Sequence, residues 1–213
     1  MTPGPRISKD PEVRREEFID AAESLFEEKG YDETSVSDIV NKVGVAQGTF
    51  YHYFISKEMV LEAFVDRLVI EILVKMNAIV NDPGKDAVEK MVLITRTSMT
   101  FTMGRERMTD LIHEDRYAPL HHKLERRILP PIIELITRII EQGNGEGLFD
   151  IPYSREAAIA VMGISQQFGE GKFDGKTRRK VDQDELVRMV EIVERILGMR
   201  RGLFMECYKE MMV

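Results

Sequence analysis

Apolar residues recur every three or four positions along most of the chain, and no stretch stands out with the strict alternation of a half-buried strand. The pattern predicts an all-α protein. Near the N-terminus, Val36, Ile39, Val40 and Val43 give one apolar face to a helix about two turns long. Ser35 offers a side-chain oxygen to the unpaired N–H groups of that helix's first turn, and Asp38 three positions later completes a capping pattern. Gly44 supplies the permissive backbone needed to stop and turn. Val45 packs beneath the turn, and a second short helix follows, with Phe50 and Phe54 as its anchors. Two short helices around a glycine turn are the helix-turn-helix plan.

The same periodicity carries on downstream. Met59, Val60, Phe64, Leu68 and Ile72 stripe a helix predicted to run to about Val80, where Asn81, Asp82, Pro83 and Gly84 end it. Further helices are expected near 86–102, 106–115, 120–142, 154–168 and 184–197, with the last segment continuing helical toward Met212. Pro130 and Pro131 predict a kink or restart, and the run from Gly143 to Gly147 reads as a break. The organisation expected is an N-terminal three-helix helix-turn-helix DNA-binding domain over residues 1–57 and a larger helical domain over 58–213. The basic, glycine-rich stretch GEGKFDGKTRRKVD reads as a solvated connector.

The second short helix carries hydrogen-bonding tips. Thr49 and Tyr51 offer hydroxyls, His52 a ring N–H, Gln47 an amide, and Gly48 lets a phosphate approach the backbone. From Ile39 to Lys57 there is no acidic residue, although Asp and Glu number 37 of 213 in the chain. Nearby carboxylates would repel phosphates. The net charge of −7 argues against indiscriminate nucleic-acid binding. Residues 1–57 are themselves acidic, with seven Lys/Arg against eleven Asp/Glu. Charge is nevertheless segregated: Arg6, Lys9, Arg14 and Arg15 lie at the arm and start of the first helix, whereas Glu23, Glu27, Glu28, Asp32 and Glu33 cluster near its far end. The structural alternative is that the glycine turn and aromatic cluster merely build a helical hairpin.

The wording of the motif goes further than its spacing. GYDETSVSDIVNKVGVAQGTFYHYFISKEMVL, with PEVRREEFIDAAESLFEEKGYDETS upstream, closely resembles the N-terminal domain of TetR/AcrR-type transcriptional regulators. The resemblance covers roughly the first quarter of the chain. It implies that Ser35, Gln47, Gly48, Thr49, Tyr51, His52 and Lys57 fall at positions that commonly contact DNA, with Tyr51, His52 and Lys57 largely on the backbone. Gln47 departs from the frequent Lys or Ser; it brings no charge but can read adenine bidentately, which makes it a candidate specificity residue. Arg14 joins the set from the basic arm.

Composition narrows the remainder. The N-terminal residues carry no apolar signal core, and charges interrupt every later hydrophobic run, so a cytoplasmic protein with no membrane partner is expected. Cys207 is the only cysteine, which excludes an intrachain disulfide and a cysteine-based metal cage. No nucleophile elbow, phosphate-binding glycine loop or HExxH pattern is present, so no enzyme and no cofactor are expected. A metal reading of His113 with His121 or His122 is weak, because adjacent histidines diverge on a helix and Pro119 interrupts the register.

For a small-molecule effector, Met91, Thr95, Met99 and Met103 recur at helical spacing and combine adaptable apolar side chains with a hydroxyl, while His113 and Tyr117 offer polar groups nearby. The same stripe also suits an ordinary core. The wide apolar faces of the last two long helices, carrying Ala157, Ala158 and Val161 on one and Met189, Val190 and Val193 on the other, suit either core closure or self-association. The resemblance implies effector binding between the middle helices and homodimerisation through those last two. Together these readings give a homodimeric repressor that leaves double-stranded operator DNA when an unknown small molecule binds. The alternatives are a ligand-dependent activator, or a helical small-molecule or metal-binding dimer whose DNA contact is incidental.

Overall fold

The computed structural model describes residues 9–101, 105–112, 114–169 and 183–211. Among them the structure is all-α, with ten α-helices and one short 3₁₀ turn at Asp115–Tyr117. The expected residues Met103 and His113, and the connector 170–182, lie outside the described residues. The chain forms two compact units: one takes in residues up to Leu68 together with 104–124, the other 69–103 with 125–213.

The first unit is built on α1 (Pro11–Lys29), α2 (Val36–Val43), α3 (Gln47–Tyr53) and the start of α4 (Lys57–Val80), with α6 (Glu106–Ile112) packed on α1. Asp10 caps α1 by accepting from the Glu12 N–H at 2.8 Å, and Pro11 occupies the first turn, where its missing N–H costs nothing. Its core gathers Phe18, Phe26, Ile39, Phe50, Phe54, Leu61 and Phe64, all at most 2% exposed. Each such side chain contributes roughly 1.5–3 kcal/mol on burial.

The second unit contains the rest of α4, α5 (Ala87–Phe101), most of α7 (Ala118–Glu146), α8 (Ser154–Gly169), α9 (Gln183–Ile196) and α10 (Leu203–Glu210). Its core joins Ile72 and Met76 of α4 to Met91 of α5, Ile139 of α7, Ala158 of α8, Val190 of α9 and Phe204 of α10.

Three elements differ from the sequence expectation. The helix α7 runs through Pro130 and Pro131 without a restart and, where a break was expected from Gly143, continues through the glycine run to Glu146. Gly143 is there for room: a Cβ at this position would lie 2.2 Å from the Phe149 ring. The chain turns only at Gly147, whose φ of 71° lies in the left-handed region. The final segment does not continue α9. It breaks after Ile196 and restarts as α10, whose first turn is capped by the buried Glu194 carboxylate, accepting from the N–H groups of Gly202 at 2.8 Å and Phe204 at 2.9 Å. Finally, the helix expected near 106–115 ends at Ile112.

Candidate nucleic-acid interface

The capping pattern read at Ser35 is formed in full. Its hydroxyl oxygen accepts from the Asp38 N–H at 3.1 Å, and its own N–H donates to the Asp38 carboxylate at 2.7 Å. The Ser35 hydroxyl also donates to that carboxylate at 2.6 Å, and Lys29 pairs with it at 2.9 Å. The Ser35 hydroxyl first, then Lys29, hold the Asp38 carboxyl well below the usual carboxylate range. At the other end of α2, Gly44 adopts φ 78°, its N–H donates to Val40 and Asn41, and the Val45 N–H returns to Val40.

That turn delivers α3, whose inner face is fixed by aromatic packing. The Phe18 ring meets Phe50 edge-on at 5.4 Å and Phe54 at 6.3 Å, and the Arg15 guanidinium lies 5.3 Å from the Phe54 ring centre. With Phe50 and Phe54 buried, Gln47, Gly48, Tyr51 and His52 are exposed on the outside and Thr49 is half-buried. Tyr51 is 51% exposed although its ring touches Phe50 at 5.5 Å, so it is positioned without being covered.

Two residues expected to contact DNA have partners inside the fold. The Ser35 hydroxyl is committed to the cap just described. Lys57, at the start of α4, donates from Nζ to the carbonyls of Tyr31 at 2.6 Å and Thr34 at 2.8 Å, and its ammonium lies 4.1 Å from the Tyr31 ring centre. Burial pushes its pKa down, against the opposing pull of Asp32 and Glu58. Lys57 therefore ties the α1–α2 turn to α4. Arg14 is half-buried and pairs with Glu17 at 2.7 Å.

The fate of the α1 carboxylates resolves the charge problem. Glu16, Asp20, Glu23 and Glu27 fall at intervals of four, three and four, forming one stripe. Arg67 of α4 reaches Glu16 at 3.2 Å, Asp20 at 2.5 Å and Glu23 at 2.6 Å. Arg105 takes the other Glu23 oxygen at 2.9 Å, and Glu27 accepts from the Met108 N–H of α6 at 2.9 Å. These acids are engaged by Arg67 of α4, by Arg105 and by the Met108 N–H of α6. Spacing alone carried this signal, in the i, i+4, i+7 pattern along α1.

Of the expected effector residues, the structure describes Met91, Thr95, Met99 and Tyr117. Met91 is buried in the core of the second unit, Thr95 donates its hydroxyl to the Met91 carbonyl at 2.9 Å, and Met99 is 40% exposed. Tyr117 belongs to the first unit, where its ring meets Tyr31 edge-on at 5.6 Å. His121, His122 and Glu125 bring ligand atoms within 4.8 Å of one another on α7, a grouping that the sequence reading missed by looking toward His113.

A capped helix, a left-handed glycine turn and a second helix with a polar outer face, all packed on α1, define a helix-turn-helix domain. Residues 18–64 match the family of bacterial regulatory proteins, tetR family. An uncharacterised HTH-type transcriptional regulator of Bacillus subtilis, YvdT, is 43% identical over 67 residues, 32% of this chain and 34% of that one. The HTH-type transcriptional repressor KstR2 of Mycolicibacterium smegmatis is 36% identical over 58 residues, 27% and 28% of the two chains. The chain thus spans about a third of the length of such curated relatives. Over 90% of this chain, the crystal structure of a TetR/AcrR-family regulator from Thermobifida fusca superimposes with a TM-score of 0.62 at 26% identity, covering 97% of that chain. Residues 18–64 thus resemble the DNA-binding part of tetR-family regulators, and the chain shares its fold with the solved TetR/AcrR-family structure. Among the described residues no helix is long and apolar enough to cross a membrane.

Proposed function

We propose that this chain is a ligand-responsive, sequence-specific DNA-binding repressor that acts as a homodimer. The observation that carries the reading is the outer face of α3, exposed and acid-free over a phenylalanine floor, while the α1 carboxylates are engaged by Arg67 and Arg105. On this reading α3 enters the major groove, Gln47 reads a base edge, and Tyr51, His52 and Thr49 meet the backbone. Gly48 gives the phosphates close approach.

Self-association through α8 and α9 is supported by their unpartnered apolar positions: Ile159 on α8 is 44% exposed and Ile192 on α9 is 41% exposed. A twofold axis there presents two α3 helices to two half-sites. An effector in the 60–142 region, next to the stripe of Met91, Thr95 and Met99, is proposed to shift α4 and so change the spacing of the α3 helices. Both half-sites must be engaged together, so a small shift suffices to release DNA.

The test is salt-dependent binding to the DNA upstream of the chain's own gene, alongside native mass spectrometry of protein purified from its host. A saturable, sequence-dependent complex of a dimer supports the reading. Equal affinity for unrelated DNA at every salt concentration overturns it.

A further inference from the structure

Residues three and four apart are neighbours on a helix surface, and Glu125 stands in both relations at once, four positions after His121 and three after His122. The two adjacent histidines diverge by about 100° around the axis of α7, yet a single carboxylate on the next turn is within reach of both. Their ring centres are 6.1 Å apart, and the ligand atoms of all three side chains lie within 4.8 Å of one another. Among the described residues, no other three His, Cys, Asp or Glu side chains converge as closely. All three belong to one short stretch of one helix, so local helix geometry alone sets the grouping.

Its surroundings leave room for an ion. His121 and Glu125 are half-buried and His122 is exposed, so one side is open to water. Lys123, the nearest cation in sequence, has its ammonium engaged by Glu62 of α4 at 2.6 Å. Arg126 and Arg127 add positive charge on the same helix, which lowers the affinity for a cation without removing any donor.

Two imidazoles and one carboxylate choose among metals. Imidazole nitrogen suits zinc and its neighbours, whereas magnesium and calcium take oxygen ligands. Three protein ligands with a fourth position left to water is the arrangement of an open zinc site. With bonds near ~2.1 Å, a tetrahedral zinc spaces its ligand atoms about 3.4 Å apart. Closing to that spacing takes only side-chain rotation at positions that are not fully buried.

We infer that His121, His122 and Glu125 form a site for a zinc-type divalent ion near the start of α7. The ion cross-links one turn of the helix and stiffens its beginning. None of Gln47, Tyr51, Met91, Thr95 and Met99 takes part, so the site is separate from the outer face of α3 and from the proposed effector stripe.

The experiment titrates the untagged full chain with Zn²⁺ against a chromophoric chelator, and with Co²⁺ as a spectroscopic stand-in. One ion per chain is expected, retained in a large excess of Mg²⁺. Loss of a ligand should cost at least as much as loss of an outer partner, so His122→Ala and Glu125→Gln should each weaken binding about ten-fold or more. Cys207→Ser should leave it unchanged. His122 is exposed and glutamine keeps the shape of Glu125, and circular dichroism establishes that both variants are folded. Bound Co²⁺ should show d–d absorption without a thiolate charge-transfer band. Absent binding, binding undiminished in both variants, its loss in Cys207→Ser, a thiolate band, or displacement by Mg²⁺ overturns the assignment. Neither DNA nor an organic ligand enters the readout, so the inference stands or falls apart from the proposed function.

Discussion

Arg67 of α4 holds the Glu23 carboxylate of α1 at 2.6 Å, while Arg105 takes the opposite oxygen of the same group at 2.9 Å. Glu23 is thus a shared acceptor between two basic residues distant in sequence. Its side chain is 23% exposed and that of Arg67 28%, which puts the pair between a surface bridge and a buried one. The Arg67 guanidinium has its pKa raised despite burial, because Asp20, Glu23 and Glu16 surround it.

Removing Arg67 leaves three carboxylates of one helical stripe facing one another. Arg67→Ala should destabilise the protein by about 1–3 kcal/mol, with a coupling to Glu23 of about 1 kcal/mol in a double-mutant cycle. Urea denaturation of the two single variants and the double variant measures it. A coupling near zero would reduce the cluster to solvated surface charge.

Tyr51→Ala should weaken operator binding about ten-fold or more while leaving the thermal midpoint within a few degrees, since half of the side chain is already in solvent. Gln47→Ala should flatten preference at one base position, a change of about 1–3 kcal/mol between right and wrong bases, with little effect on non-specific DNA. Fluorescence anisotropy over a set of single-base operator variants separates the two effects. Full-strength binding by the Tyr51 variant would remove the central claim about α3.

The glycines of α7 give a paired test. Gly143→Ala forces a Cβ against the Phe149 ring and should cost about 1–3 kcal/mol or more, whereas Gly145→Ala meets nothing within 4 Å and should gain up to about 1 kcal/mol as a better helix former. Thermal unfolding of both variants decides it. The same residues show why part of this fold was legible in sequence and part was not. The capping box at Ser35 and Asp38 and the turn at Gly44 depend on residues within a few positions, and both formed as read. A glycine placed for a long aromatic neighbour looks in sequence like a glycine placed for a turn, so Gly143 was read as a break. The same limit applies to Lys57 and to the α1 acids, whose partners lie on other elements.

Asp38 supplies a pH dependence with a definite sign. Its folded pKa is depressed below the unfolded value near 4, so its contribution is present above that value and is lost as pH falls through the folded pKa. Asp38→Asn should therefore be less stable than the parent at pH 7, and the difference should shrink as pH falls below about 4. Glu17 and Glu58, whose carboxyls are also lowered, add to acid sensitivity in the same direction. Denaturant titrations at pH 7, 5 and 3 check the trend. A difference constant across that range would mean the carboxylate's charge contributes nothing.

Lys57 separates two roles that its position alone leaves joined. A phosphate contact predicts that Lys57→Met lowers the salt slope of operator binding by about one unit per occupied site, with stability intact. The bonds from its ammonium to the Tyr31 and Thr34 carbonyls predict the reverse, a loss of about 1–3 kcal/mol of stability with the slope nearly unchanged. Two of its three donors are committed at 2.6 and 2.8 Å, and the ammonium rests on the Tyr31 ring, so the second outcome is expected. The carbonyls it holds belong to the turn that aims α2, and hence α3, so operator affinity should fall through misplacement of the reading helix. Measuring melting temperature and salt slope on the same preparation distinguishes this from a lost phosphate contact. A slope reduced by a full unit in an undiminished fold would return Lys57 to the DNA surface.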